Sequence, residues 1–192
     1  MPFLARFLLF AAIALSLGLG SAWRAVNHGF FASTARFGPW AFWFREGTAD
    51  ADPYTVAHVA RQGTLPITST SAMTFTAARD SAGARLSGDC TYEIHGYAVP
   101  ALWWDIAAFR PDGQIMPNKT GRSSFSSDNL VVGPGGAFLV RLSPAVQPGN
   151  WLPSERGGHI VLRLNILRAL APGSLLGQGA SSLPAITLVE CL

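Results

Sequence analysis

From about residue 72 onward, apolar and polar positions alternate with a period of two. The pattern runs through the segments AMTFTAA, CTYEIHGY, ALWWDIAAF, AFLVRLS, HIVLRLNIL and AITLVE. That period puts successive side chains on opposite faces of an extended strand. The segments are separated by DSAG, AVP, PDG, GPGG and APGS, whose Gly, Pro and Asp residues supply turn backbone. RPDGQI is a tight-turn signal between two strands. Short strands at this spacing predict an antiparallel β-sandwich or barrel. Upstream, the period changes once. Asp52 is placed as an N-cap with Pro53 in the first helical position; Val56, Ala57, Val59 and Ala60 form a stripe, and Gly63 supplies the stop. One short helix thus precedes an all-β core. Residues 24–50, rich in aromatics but without either period, are expected to be irregular. The expected division is an apolar segment over 1–23, an aromatic linker with a short helix over 24–70, and a β-sandwich domain over 71–192.

The N-terminal segment is uncharged and almost wholly apolar from Phe7 to Trp23, bracketed by Arg6 and Arg24. That length is near the lower limit of ~17 residues for a membrane-spanning helix. The same run reads as a signal-peptide core, with Gly20-Ser21-Ala22 as small residues for cleavage. Its length and the interfacial character of Trp23 favour an anchor over a cleaved signal. Either way the segment targets the chain to a membrane, with the domain expected on the periplasmic or extracytoplasmic side. Cys90 and Cys191 show no metal-type spacing. In an oxidising compartment they are candidates for a disulfide between a first and a last strand, the alternative being two separate buried thiols.

Composition narrows the function classes. Hydrophobic residues make up 49% of the chain and fill a real core, while charged residues, at 13%, fall well below the usual quarter. The formal net charge is +3, carried mostly by singly spaced arginines. Nucleic-acid binding needs a basic stripe or cluster, and the sequence shows none, so no nucleic-acid partner is expected.

The residues also carry a resemblance. FGPW, GTADADPYT, ARQGTLPI, CTYEIHGYAVPALWWDI, DGQIMPN, SFSS, LSPAVQPGNWLP and LRLNIL stand in the order seen in the domain of unknown function 1214 family. The chain resembles its short, single-domain bacterial members with an N-terminal hydrophobic segment. The resemblance covers almost everything from about residue 36, and QPGNWLP is its most specific piece. It implies a jelly-roll-like β-sandwich and membrane association. It implies no activity, and no catalytic residue is carried over. The chain departs from relatives in reading FRPDG, where they tend to read Tyr-Asp-Ala-Asp-Gly, and LRLN, ending at Asn165, where they tend to read Leu-Arg-Leu-Tyr.

Tested for chemistry, the sequence offers few constellations. His28, His58, His95 and His159 form no H-x-H, H-x-D or H-E-x-x-H pattern, so neither a metal nor another cofactor is expected. His58 reads as a partly buried structural histidine. No G-x-S-x-G elbow occurs, and GPGG lacks the Lys and Ser/Thr of a phosphate loop, so no catalytic residue is assigned. Glu93 and His95 share one face of a strand, as ligands, as an acid–base pair or as a hydrogen-bonded surface pair, the last being favoured. Arg141 and Arg163 stand within apolar strands. A buried arginine needs a partner, and Glu93, Asp105 and Glu190 are the candidates. The alternative is a guanidinium presented in a cleft to a carboxylate or phosphate. Of adjacent Trp103 and Trp104, one faces the core and the other outward, to pack or to stack on a sugar. In QPGNWLP, Asn150 is expected to bond local backbone and Trp151 to plug one end of the sandwich.

The leading expectation is a non-catalytic, membrane-anchored envelope domain that binds a small ligand or a protein partner. The alternatives are an enzyme or a carbohydrate-binding module with a polar cleft around Glu93, His95 and Arg163, to which Asp105 and Trp103 contribute. The expected placement is tested by a reporter fused after Leu192, which should be active only outside the cytoplasm. Activity inside the cytoplasm contradicts it.

Overall fold

The computed structural model describes residues 2–29, 33–63, 65, 67–170, 172–177 and 183–191. The apolar N-terminal run forms helix α1 (Pro2–His28), which has no buried residue and is long and apolar enough to cross a membrane. The aromatic stretch expected to be irregular instead contributes a hairpin, β1 (Thr34–Phe37) and β2 (Trp40–Trp43), closed by Gly38-Pro39. Four residues per strand are too few to show a period. What fixes them is burial of Phe37, Trp40 and Phe42 in the core. The indole of Trp40 also donates to the Pro184 carbonyl at 2.7 Å.

Helix α2 (Pro53–Gln62) starts and stops as its caps dictate. The Asp52 carboxylate accepts from the Tyr54 and Thr55 amides, and Gly63 turns left-handed at φ 62°. The remaining strands are β3 (Ala72–Ala77), β4 (Cys90–Tyr97), β5 (Ala101–Phe109), β6 (Ser124–Ser126), β7 (Ala137–Ser143), β8 (Asn150–Pro153), β9 (Val161–Ala169) and β10 (Ala185–Cys191). The APGS stretch, expected as a turn, opens a short helix α3 (Pro172–Gly177).

The strands form two sheets, in the orders β1-β2-β3-β9-β5-β6 and β10-β4-β7-β8. Phe75, Ile106 and Leu164 of the larger sheet and Ile94, Val140 and Ile186 of the smaller are fully buried in one shared core. Trp104 of β5 meets Phe138 of β7 across it at 5.1 Å between ring centroids. The fold is therefore mainly β, a two-sheet sandwich preceded by an apolar helix. AVP is a crossover rather than a hairpin turn, because β4 and β5 belong to different sheets. Cys90 and Cys191 are bonded and are direct cross-strand partners of β4 and β10. With a sequence separation of 101, the bond contributes roughly 4–5 kcal/mol in the chain-entropy account.

QPGNWLP also departs from expectation. It enters β8, which runs parallel to β7 with Val140 opposite Asn150. Asn150 is buried. Its side-chain oxygen accepts from the Val131 amide, and its nitrogen donates to the Val131 and Leu139 carbonyls. Trp151 is only half-buried, and its indole donates to the Ser143 carbonyl at 3.0 Å. The side chain that enters the core is Leu152. The clamp is thus the Asn150 amide, not the Trp151 ring. Asn150→Ala leaves three backbone groups without their partner and is expected to cost about 2–4 kcal/mol in chemical denaturation. Trp151→Ala is expected to cost only about 1–2 kcal/mol. A larger loss from Trp151→Ala than from Asn150→Ala would contradict this order.

Candidate functional site

Strand alternation gives the six-stranded sheet one apolar face, which is spent on the core, and one face that is largely polar. Register places Arg36, Ala41, Thr76, Arg163, Ala107 and Ser124 in one row across all six strands. A neighbouring row holds Thr74, Asn165, Asp105 and Ser126. This face is roofed by α2 and by the chain leading into and out of it. Trp43, Thr55 and Val59 are buried there, outside the main core. The roof closes tightly at two glycines. A Cβ on Gly47 (φ +72°) would lie 2.5 Å from the Ile67 carbonyl carbon, and one on Gly113 (φ +88°) would lie 2.7 Å from the Gln62 carbonyl oxygen.

Between sheet and roof lies a cleft of about 220 Å³ whose floor is Thr74, Thr76, Arg163 and Asn165. Arg163 is its centre. The residue is only 8% exposed, and its guanidinium lies over the Phe109 ring, 4.2 Å from the centroid. It donates to the Gln62 side-chain oxygen at 3.0 Å. Among the described residues it has no carboxylate within ion-pair distance; the three ion pairs are Arg45–Asp50, Arg110–Glu155 and Arg141–Glu93. Burial lowers the Arg163 pKa and the charge of Glu46 raises it, but Glu46 acts through space rather than by contact. A guanidinium has five N–H donors and stays charged, so most of its donor capacity remains for a ligand.

The groups around Arg163 are tuned by the same burial. Glu46 is raised above the usual glutamate range by desolvation, against the opposing pull of Arg163. Asp105 is raised by burial too, although Asn165 donates to it at 2.8 Å and itself accepts from Thr74 at 3.0 Å. His58 is lowered, chiefly by burial. It stacks on Trp43, 4.0 Å between ring centroids. Its Nδ1 lies 2.8 Å from the Val26 carbonyl of α1, and a carbonyl only accepts, so Nδ1 carries the proton. That leaves Nε2 as a lone pair. The cleft thus offers a fixed cation, a neutral base and one carboxyl, Glu46, biased toward its protonated form, with Asp105 behind Asn165 biased the same way.

The residues singled out in sequence do not all meet here. Arg163 and Asp105 share the roofed face, Asp105 through Asn165. Glu93 and His95 lie on β4, in the other sheet. Glu93 pairs with Arg141 at 3.1 Å, and exposed His95 meets the Thr187 hydroxyl at 3.2 Å. They face away from the cleft because alternation turns Tyr92 and Ile94 into the core. None of Glu93, Asp105 and Glu190 reaches Arg163; the partner is the neutral Gln62. Trp103 is half-buried on β5 and Trp151 on β8, in different sheets, so they form no common aromatic surface. Glu46, Gln62, Thr74 and Thr76 line the cleft without a sequence signal of their own, and His58, for which the sequence favours a structural role over a ligand's, lines it too. Among the described residues no cluster of three His, Cys, Asp or Glu side chains is placed to hold a metal.

Residues 71–173 match a family described as "Protein of unknown function (DUF1214)". The structure is similar to that of the VPA0106 protein from Vibrio parahaemolyticus, with a TM-score of 0.61 and 17% identity over 95% of this chain and 45% of that one. It is also similar to an uncharacterised protein from Burkholderia cenocepacia, with a TM-score of 0.51 and 14% identity over 90% of this chain and 41% of that one. The chain therefore spans less than half the length of either. Such likeness shows the fold alone, and it extends over the elements upstream of the family match. No curated protein matches the sequence.

The raised pKa of Asp105 has a stability consequence of definite sign. A carboxyl raised above its unfolded value favours the fold when protonated, and that contribution is lost as pH rises through the folded-state pKa. Asp105→Asn keeps an acceptor for Asn165 without the charge. It is expected to melt above the wild type at pH 8, with the advantage shrinking as pH falls toward the ordinary aspartate value of ~3.9. A difference that does not vary between pH 4 and 8, or a loss at pH 8, would contradict this.

Proposed function

The chain belongs to the DUF1214 family, and from the geometry of its own cleft we propose that it is a membrane-anchored, extracytoplasmic binding domain for a small ligand bearing an anionic group. The observation that carries the reading is Arg163, a buried guanidinium stacked on Phe109, hydrogen-bonded to the neutral Gln62 amide and, among the described residues, lacking a carboxylate in contact. A buried charge without a counterion is costly, and a ligand carboxylate or phosphate supplies one with charge-assisted hydrogen bonds. Thr74, Thr76 and Asn165 on the floor offer neutral partners for the rest of such a ligand. The length and apolarity of α1 support attachment to a membrane. The Cys90–Cys191 bond supports an oxidising compartment.

The test compares thermal melts of the full chain and of Arg163→Leu in acetate, citrate and inorganic phosphate. At least one anion is expected to raise the wild-type melting temperature and to leave that of Arg163→Leu unchanged. Without ligand, Arg163→Leu should melt no lower than the wild type, because a leucine there removes an uncompensated charge. Glu46→Gln should bind the same anion more tightly, since it removes a competing negative charge. If Arg163→Leu instead loses roughly 3–5 kcal/mol, as when a buried ion pair is broken, and no anion distinguishes the two proteins, Arg163 is structural and the reading fails.

A further inference from the structure

A second cleft, of about 260 Å³, lies beside the first at the end of α1, separated from it by the stacked Trp43 and His58. Beside the neutral Asn27 and Thr76, its rim carries Arg36, Arg79 and Arg85 with His28 and His159, and among the described residues no acidic side chain lines it. Arg79 and Arg85 are direct partners in an isolated antiparallel bridge. Two like charges facing each other across a ladder repel, and neither has an ion pair among the described residues. The nearest carboxylate in sequence, Asp80, is buried and committed to its own turn, accepting from the Ala82 and Ala84 amides. Among the described residues Arg79 donates to the Gly83 carbonyl at 2.7 Å, and Arg36 lines the same cleft from the sheet edge.

The position of this cleft narrows its occupant. Asn27 and His28 belong to the last turn of α1, directly after the apolar run that ends at exposed Trp23. If α1 spans a bilayer, those residues emerge at headgroup level, where Trp favours the interface and arginines favour anionic lipid. We propose that the cleft binds the phosphate-bearing headgroup of an anionic phospholipid. Arg79 and Arg85 clasp the phosphate between them, and Arg36 closes the third side. An anion there also relieves the Arg79–Arg85 repulsion that the bare fold leaves standing. The inference rests on the reading of α1 as an anchor and is independent of ligand binding at Arg163.

Native mass spectrometry of the full chain, released from detergent with equimolar phosphatidylglycerol and phosphatidylcholine, tests it. The wild type is expected to retain phosphatidylglycerol over phosphatidylcholine by roughly thirtyfold or more, as two or three arginines near an anionic surface provide. Arg79→Gln alone should lower the ratio about fivefold, and Arg36→Gln/Arg85→Gln should lower it further, to a few-fold or less. Arg156→Gln, an exposed arginine outside the cleft, and Arg163→Leu should keep it. Equal retention of the two lipids, retention of neither, or an unchanged preference in both cleft variants overturns the proposal. Complete displacement of phosphatidylglycerol by millimolar inorganic phosphate also overturns it, by showing a site for free phosphate. Failure at Arg163 alone would leave the lipid preference untouched, so the two readings fail separately.

Discussion

The outer face of the six-stranded sheet is organised by a charge in a place where charges are expensive. Arg163 occupies the middle of β9 between Leu162 and Leu164, both fully buried in the core, so alternation leaves its side chain only the opposite face. Once there, it dictates its surroundings. Its register neighbours Thr76 and Ala107 are small enough to leave the guanidinium room. Phe109 gives it an aromatic face, and α2 ends where Gln62 brings an acceptor over it. Gly113 lets the turn after β5 approach the end of α2, which a side chain at that position would prevent. The roof that covers this cation also buries Glu46 and His58, and that burial raises the first and lowers the second, Arg163 opposing the shift of Glu46.

The same chain shows the alternative solution. Arg141 also stands inside an apolar strand, between Val140 and Leu142 of the core. It reaches outward to Glu93, its register partner on β4, and to the Pro148 carbonyl, on a face open to water. A partly exposed pair of that kind contributes little to stability and needs no ligand. One apolar-Arg-apolar motif therefore appears twice with opposite outcomes. In the smaller sheet the cation is paired and wet, and in the larger it is roofed and unpaired. That contrast, between an ion pair and a cation with no ion pair among the described residues, is what the proposal at Arg163 rests on.

How much of this was legible follows from the range of the forces involved. Helix α2 was readable because Asp52, Pro53 and Gly63 fix its ends through local bonds. Strands β3, β4, β5, β7, β9 and β10 were readable because each is long enough to show alternation. β1 and β2 were not, since TARF and WAFW are too short for a period and are held by distant core partners. β8 was hidden because Pro148-Gly149 reads as a turn and Pro153 as a residue that keeps the segment out of a helix, whereas Pro153 pairs with Ser143 at the end of the strand. Within the site, Arg163 and Asp105 stood out as polar residues in apolar strands. Their partners did not, because Glu46, His58 and Gln62 arrive from a roof whose docking no periodicity reports. Glu93 and His95 were correctly placed on one face, but which sheet that strand joins is decided by long-range pairing.

The central claim, that Arg163 is a buried cation open to an anionic ligand, is most directly tested at the guanidinium itself. In the full chain, the Nε–H resonance of Arg163 can be assigned by its loss in Arg163→Lys and followed while inorganic phosphate, acetate and citrate are added. The account predicts a saturable shift of that resonance with at least one of the three, while Arg141, already paired with Glu93, does not move. An Arg163 resonance that no anion moves, or that moves only in parallel with Arg141, would contradict it.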